Sequence, residues 1–434
     1  MAARFPNEIL ELIVEELAVA GQGPWKGLLG DLKSCCLVSR SFLPVCQKHI
    51  FHTILMAPSR TIIKSSNVST PNRTAQFAKL VVGSPHLASY VRKLTYRVFQ
   101  TDPLEPSIAA ALEKLGNVEE LELEFLDGAG DVVSRWKRFT AVHERWREAF
   151  VAMIRNPRLK SLTLRKTLNL HESTIVPGEG SSQDDSTQQI YLKTLAVGRS
   201  SFEILETWLN PQPNATLPFQ LTHLERLSLR LEASEVQPAG LFLEHLVHLR
   251  TLHLRIEPYP DTQTPSLPLE KLKPSSKATL AHLKLELFSN SATETIFDPW
   301  IGLCDDTLFA LPRLESLDIH IMYRGSRRLH SGSQWGRLDS EFLTPGITLS
   351  MLPRLKDLKI LVTLIVENSY PMRFQQSVEE GYELERNLSR HVSKQLPGLT
   401  GLHNQGLIKF SFKTGVAVVE HNGVFTRNIW GNWP

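Results

Sequence analysis

Leu249-Arg250-Thr251-Leu252-His253-Leu254-Arg255-Ile256 decides the reading of this 434-residue chain. From Leu252 onward apolar and polar residues alternate, as a strand with one buried face requires. Leu249 stands three residues earlier, so the unit reads apolar-x-x-Leu-x-apolar. The same unit recurs as Val91-Leu94-Tyr96, Val118-Leu121-Leu123, Leu159-Leu162-Leu164, Leu192-Leu195-Val197 and Leu224-Leu227-Leu229. After the quoted stretch it returns as Leu280-Leu283-Leu285, Leu314-Leu317-Ile319 and Leu355-Leu358-Ile360. Starts lie 25 to 41 residues apart. Helix-like segments fall between them at Ile108–Leu115, Trp146–Ile154, Phe202–Leu209 and Leu241–Leu246. One strand with one helix cannot bury its own core, so neighbouring units must stack. The predicted fold class is α/β. A doubly wound nucleotide-binding sheet would carry a Gly-rich turn after an early strand, and the sequence has none.

This array, roughly residues 85–365, resembles the leucine-rich repeat. The resemblance implies a solenoid with a parallel, concave sheet. Its units exceed the family's usual 20–29 residues, and no consistent Asn or Cys follows the strand, so the spacing is irregular. Polar insertions at 171–190, 257–278 and 323–346 interrupt the array, and the composition of the first predicts disorder. From about 366 the character changes. A charged helix is expected over Val378–Leu396, then two strands, Leu407–Phe412 and Val416–Glu420, joined through Lys413-Thr414-Gly415. Residues 366–434 are read as a C-terminal cap.

Ahead of the array stands a helical head. Pro6 suits a first helical position, Glu8 and Glu11 suit the positive end of a helix dipole, and Ile9, Ile13 and Leu17 form a wide apolar stripe with Leu10, Leu12 and Val14. Asp31 is a candidate N-cap for a second helix, Ser39-Arg40-Ser41 breaks it, and Pro44 can open a third. Three short helices at 4–56 carry more apolar surface than so small a bundle can hide. A Ser/Asn-rich connector at 57–84 follows.

Phe5-Pro6-x-Glu8-Ile9-Leu10, a helix to Leu17, Asp31-Leu32 and Leu37-Val38-Ser39-Arg40-x-Phe42 together resemble an F-box over roughly residues 4–52. The stretch departs from the family by a Gly-rich insertion at 21–30, and by Ile50-Phe51 where many members carry Trp. The resemblance implies docking onto a Skp-type adaptor, and through it a cullin, in an SCF ubiquitin ligase. The contact residues it implies are Phe5, Pro6, Ile9, Leu10, Ile13, Leu32, Leu37, Val38 and Phe42. Between Lys26 and Lys64 the residues Lys33, Arg40, Lys48 and Arg60 face a single carboxylate, Asp31, which suits an acidic partner.

Chemistry for catalysis is not visible. The net charge of +3 is too small to argue for nucleic acid. No apolar run spans a bilayer, and four carboxylates within the first apolar stretch argue against a signal peptide. Four cysteines, three clustered at Cys35, Cys36 and Cys46, do not form a disulfide scaffold, so the expected compartment is reducing, cytosol or nucleus. Cys35, Cys36, Cys46, His49 and His52 lack the paired spacing of a structural zinc site. No nucleophile-elbow, His-Glu-x-x-His or phosphate-loop motif occurs, and no cofactor or metal is expected. The array offers a surface instead. Residues alternating with the buried leucines point outward: Glu120, Glu122 and Glu124 make one unit acidic, while Arg226, Arg230, His253, Arg255 and Lys284 make the middle basic. That basic stretch is the expected seat of a client protein with an acidic or phosphorylated segment. The chain then reads as the non-catalytic substrate receptor of a ubiquitin ligase. A repeat scaffold working outside any ligase is the competing reading.

Overall fold

The computed structural model describes residues 7–20, 28–57, 73–99, 106–126, 144–165, 190–198, 220–257, 267–290, 308, 310–324, 339, 352–368, 374–420 and 425–430. The chain forms two compact units: residues 1–192 with 211–220, and residues 193–210 with 221–434.

The first unit opens with three helices, α1 (Asn7–Ala20), α2 (Leu28–Val38) and α3 (Leu43–His52). Asp31 does not cap α2: the chain is already helical at Leu28, which puts the carboxylate inside the first turn, still at the favourable end of the dipole. Ser39–Phe42 make the break, with Phe42 N–H donating to the Ser39 carbonyl at 3.1 Å. The chain runs from α3 directly into β1 (Thr53–Met56). Then come α4 (Arg73–Gly83), α5 (Pro85–Ala88), β2 (Lys93–Phe99), α6 (Pro106–Leu112), β3 (Glu120–Leu126), α7 (Glu144–Ile154) and β4 (Ser161–Arg165). Strands β1 to β4 pair in chain order, all parallel. The expected connector at 57–84 is therefore partly helical, because Thr74, Ala75, Ala78 and Val81 give α4 a face to bury. Tyr96 of β2 stacks on Phe150 of α7 with ring centroids 5.5 Å apart, joining the sheet to its helical layer.

In the second unit β5 (Thr194–Val197), β6 (Arg226–Glu232), α8 (Val236–Leu243), β7 (Thr251–Glu257), α9 (Pro274–Thr279), β8 (His282–Asn290), β9 (Ser316–Arg324) and β10 (Asp357–Asn368) come first. They are followed by α10 (Phe374–Ser393), α11 (Pro397–Asn404), β11 (Lys409–Glu420) and β12 (Phe425–Trp430). Strands β5 to β11 are parallel and paired in chain order; β12 returns antiparallel to β11.

All nine recurrences of the sequence pattern are strands, β2 to β10. Every apolar position named in them is buried, none more than 5 % exposed. Within the second unit Leu195, Leu227, Leu252, Leu283, Leu317 and Leu358 are direct partners across successive strands. The two-residue spacer has a backbone purpose. In the first unit Glu119 and Glu120 N–H both donate to the Arg92 carbonyl (2.7 and 3.0 Å), and Lys160 and Ser161 N–H to that of Glu119 (2.8 and 3.0 Å). In the second unit the same fork joins Arg250 and Thr251 to Glu225, and Lys356 and Asp357 to Glu315. The fork sets the height at which each new strand enters, so the alternation stays in register. The leading apolar residue closes a turn one step earlier: Leu224, Leu314 and Leu355 N–H donate to the carbonyls of Leu221, Leu311 and Leu352. Asn156 occupies the equivalent place before Leu159, and its buried amide donates to the Gly116 carbonyl at 2.9 Å.

Two expectations are corrected here. Lys413-Thr414-Gly415 is not a turn; it lies inside β11, which continues the parallel series beside β10 from Lys409 to Glu420. Thr414 is fully buried and donates to Glu385 of α10 at 2.6 Å, so a polar residue sits comfortably in mid-strand. The stretch 257–278 is not wholly a polar insertion either. Residues 267–278 belong to a short 3-10 turn (Pro268–Lys271) and α9, and bury Leu267, Leu269 and Leu272. Asp339 caps α11, accepting from Gly398 N–H at 2.9 Å and Leu399 N–H at 2.8 Å. The expected helix at Phe202–Leu209, residues 171–189, and most of 323–346 lie outside the described residues.

Candidate interaction surfaces

The head packs a small core. Val14 of α1, Leu32 of α2 and Cys46 of α3 are fully enclosed, with Cys35, Cys36, Phe42, Val45 and Ile50 half-buried around them. What this core leaves outside is more informative. Leu37 is 88 % exposed, Val38 77 %, Leu12 57 %, Ile13 43 % and Ile9 40 %. Of the contact residues expected from the sequence, Ile9, Ile13, Leu37 and Val38 thus present apolar surface to solvent, and Phe42 does so in part. Leu10 and Leu32 do not: both are buried and hold the helices together. Phe5 and Pro6 lie outside the described residues. Leu12 was not singled out by the motif, although it lies on the same helix as Ile9 and Ile13.

The outward face of the second unit's sheet is not the free basic patch that composition suggested. Arg230 lies 2.6 Å from Glu257, and Arg255 3.1 Å from the same carboxylate. Arg255 also reaches Glu286 at 3.4 Å and stacks on Phe288, 4.7 Å from the ring centroid. Lys284 approaches Glu286 at 2.7 Å and His253 does so at 3.2 Å. The close approach of His253, reinforced by Lys284 against the cost of burial, holds the Glu286 carboxyl well below the usual carboxylate range. Arg226 differs from these; it is exposed and donates to Thr194 Oγ1 at 2.9 Å. Register explains the network. Arg230 and Arg255 are direct neighbours across β6 and β7, and Arg255 faces Glu286 across β7 and β8. Two adjacent guanidinium groups need an acid beside them, and Glu257, two residues past Arg255, supplies it. Glu257 was missed by sequence reading, although Arg-Ile-Glu alternation places it on the same face.

The first unit's face obeys the same rule. Its acidic row is matched by the strands on either side, with Lys93–Glu120 at 2.8 Å, Arg97–Glu124 at 2.9 Å and Arg165–Glu122 at 3.4 Å. A cleft of about 530 Å³ near the end of α3 is lined by Lys48, His52, Arg92 and Lys93 together with Glu119 and Glu120, so its charge is mixed. Among the described residues no group of three or more His, Cys, Asp or Glu is placed to hold a metal ion. No helix among them is long and apolar enough to cross a membrane. No protein-family model matches the chain, and no curated protein matches it in sequence.

Proposed function

We propose that this protein is the substrate-recognition subunit of an SCF-type ubiquitin ligase, its F-box-like head docking on a Skp-type adaptor and its leucine-rich-repeat-like sheets reading a client protein. The observation that carries the reading is the apolar surface left on the head. A side chain such as Leu37, exposed over most of its surface within a run that includes Val38, costs solubility unless a partner covers it. The F-box-like order of elements suggests the partner, and Lys33, Arg40 and Lys48 on the α2–α3 half of the head, against one carboxylate there, Asp31, suit an acidic contact. In this reading Ile9, Leu12, Ile13, Leu37, Val38 and Phe42 touch the adaptor, while Leu10 and Leu32 position them. The protein breaks no bond itself; it raises the concentration of client beside a ubiquitin-loaded enzyme held elsewhere in the assembly.

Client recognition follows from the paired face. An acidic or phosphorylated segment binding at Arg230, His253, Arg255 and Lys284 has to replace Glu257 and Glu286 as their partner. Selectivity then rests on the geometry of the whole row, with the more exposed Arg226 as the cation easiest to recruit.

The test is binding of the full chain to a purified Skp-type adaptor, compared with the Ile9→Asp, Leu37→Asp double variant. Both side chains are exposed, so the variant should fold as well as the parent. Its affinity should fall by about 30-fold or more, the 2 kcal/mol expected of a disrupted hot spot. A folded parent chain that does not bind the adaptor overturns the proposal and leaves the repeat sheets as an independent scaffold.

A further inference from the structure

The outward face of the second unit changes character from strand to strand. On β6 and β7 every outward position is polar, from Arg226 to Glu232 and from Thr251 to Glu257. On β8 the same alternation reaches Phe288, on β9 Met322, and on β10 it gives Leu361, Thr363 and Ile365. Strand β10 is thus apolar on both sides, because Leu358, Ile360, Val362 and Leu364 fill the inner one. Apolar residues on both sides are the composition of a strand covered on both faces. Register gathers the outward ones into a patch. Phe288 and Met322 are direct partners, Met322 partners Thr363, and Leu361 and Ile365 flank Thr363 on the same side. Phe288, Met322, Leu361 and Ile365 are all half-buried, so each keeps part of its surface open. Arg255, stacked on the Phe288 ring, joins this patch to the charged row beside it.

The charges around the patch are unevenly presented. The side chains of Glu257 and Glu286 are 17 % and 11 % exposed, against 32 % for Arg255 and 43 % for Lys284. Lys359 on β10 and Lys413, the β11 neighbour of Leu361, are exposed as well, while the nearby acid Asp318 is half-buried. An approaching partner therefore meets positive charge around an apolar centre, with most of the balancing carboxylates set back. We propose that the partner of this face is an extended client segment in which a bulky apolar side chain accompanies the acidic or phosphorylated residue, and that Phe288, Met322, Leu361 and Ile365 seat that side chain. The inference rests on the reading of this face as the client site and specifies what the site selects.

The two parts of such a segment do different work. An acid that replaces Glu257 or Glu286 exchanges one ion pair for another and gains little net free energy, whereas burying a leucine-sized side chain supplies a favourable term of its own. The acid sets position and the apolar residue sets affinity. Met322 gives the seat an adaptable floor that accepts leucine, isoleucine, methionine or phenylalanine. Spacing follows from the sheet. Arg255 on β7 lies two strands from Met322 on β9, about 10 Å at the usual inter-strand distance, and an extended chain crossing the strands covers that in about three residues. The acid and the apolar anchor of the client are therefore about three positions apart.

The experiment titrates the full-length chain against fluorescent Gly/Ser peptides of ten residues, read by anisotropy. Each peptide carries one phosphoserine, alone or with a leucine one to six positions away on either side. Leucine should tighten binding by about tenfold or more at a spacing of three or its immediate neighbours, and by much less at one or six. Leu361→Thr and Ile365→Thr place a strand-favouring residue at an outward position, and melting curves confirm that each variant folds. Both should lose most of the leucine gain and keep the binding of the peptide with phosphoserine alone. A leucine gain that is absent at every spacing, equal at all of them, or unchanged in both variants overturns the proposal. Phosphoserine peptides that bind without any leucine gain leave the client reading of the face standing and remove this inference alone. A chain that binds none of the peptides removes both.

Discussion

The helical head and the repeat sheets spend their apolar residues in opposite ways. In the sheets every leucine of the recurring pattern is enclosed, and the polar residues between them pair with one another across strands. In the head the core is as small as Val14, Leu32, Cys46 and their half-buried neighbours, while Leu37 and Val38 stand in water. Composition alone does not separate the two regions, since both are rich in leucine, valine and isoleucine. The difference lies in what completes them. A repeat is completed by its neighbour in the same chain; among the described residues the head has no such neighbour on the side of Leu37.

The contrast breaks most visibly at two leucines. Leu252 is fully buried at the centre of the second unit's ladder. Leu252→Ala should cost about 2–5 kcal/mol through lost burial and an unfilled cavity. Leu37→Ala should change stability by no more than about 0.5 kcal/mol, while weakening adaptor capture. Chemical denaturation of both variants checks the pair. Equal losses would mean that Leu37 is covered within the free chain and that the head is not an unpartnered surface.

The strands were legible because a repeated alternation of leucine with polar residues encodes burial directly. Elements that depend on distant partners were not. β11 carries Lys-Thr-Gly at its middle, a turn signal by local chemistry, and it takes the ladder with β10 and the contact of Thr414 with Glu385, 29 residues away, to make it a strand interior. β1 is four residues long and gives no periodicity to read. Part of the missing signal was present: Leu221, Leu311 and Leu352, three residues before Leu224, Leu314 and Leu355, mark the turn that feeds those strands. At the candidate surfaces the motif named both buried and exposed head residues, because a motif records identity and not orientation. The cations of the expected basic face share one side of β6 to β8, and most of them are paired with carboxylates there. Charge counted along one strand omits the carboxylates that register places beside it, Glu257 and Glu286.

The polar side of the contrast can be sharpened by pH. The folded-state pKa of Glu286 is depressed, so its contribution is complete above the ordinary carboxylate value of about 4.3 and is lost as pH falls below it. His320, 2.9 Å from Thr363 Oγ1, is held neutral by burial, so its own loss begins earlier, as pH falls below about 6.5. Glu286→Gln should lower stability at pH 7 by about 1–3 kcal/mol, the worth of charge-assisted hydrogen bonds in a largely enclosed site. It should also flatten the stability profile below pH 4.5 and, by removing the carboxylate that faces His320 across β8 and β9, deepen the step near pH 6. Melting curves across pH 3–8 test both statements. A variant with the parent's full acid slope would show that Glu286 is not the hub of the face.

The smallest effect separates backbone from side chain. Gly406, just past α11, holds φ at 71° and donates its N–H to the His403 carbonyl at 2.9 Å, while Leu407 N–H reaches Leu402 at 3.1 Å. These bonds close the helix and turn the chain toward β11. No atom lies within 4 Å of where a Cβ would stand, so space is not the constraint; the left-handed backbone is. Gly406→Ala should cost about 1 kcal/mol, and Gly406→Asn clearly less, because asparagine tolerates this conformation. If alanine and asparagine are equally costly, the loss comes from solvent or packing and not from φ. A strand that enters the sheet through a backbone turn, as β11 does here, is then fixed by conformation at its start and by the Thr414–Glu385 contact at its centre. Neither of these depends on the leucine pattern that announces the strands before it.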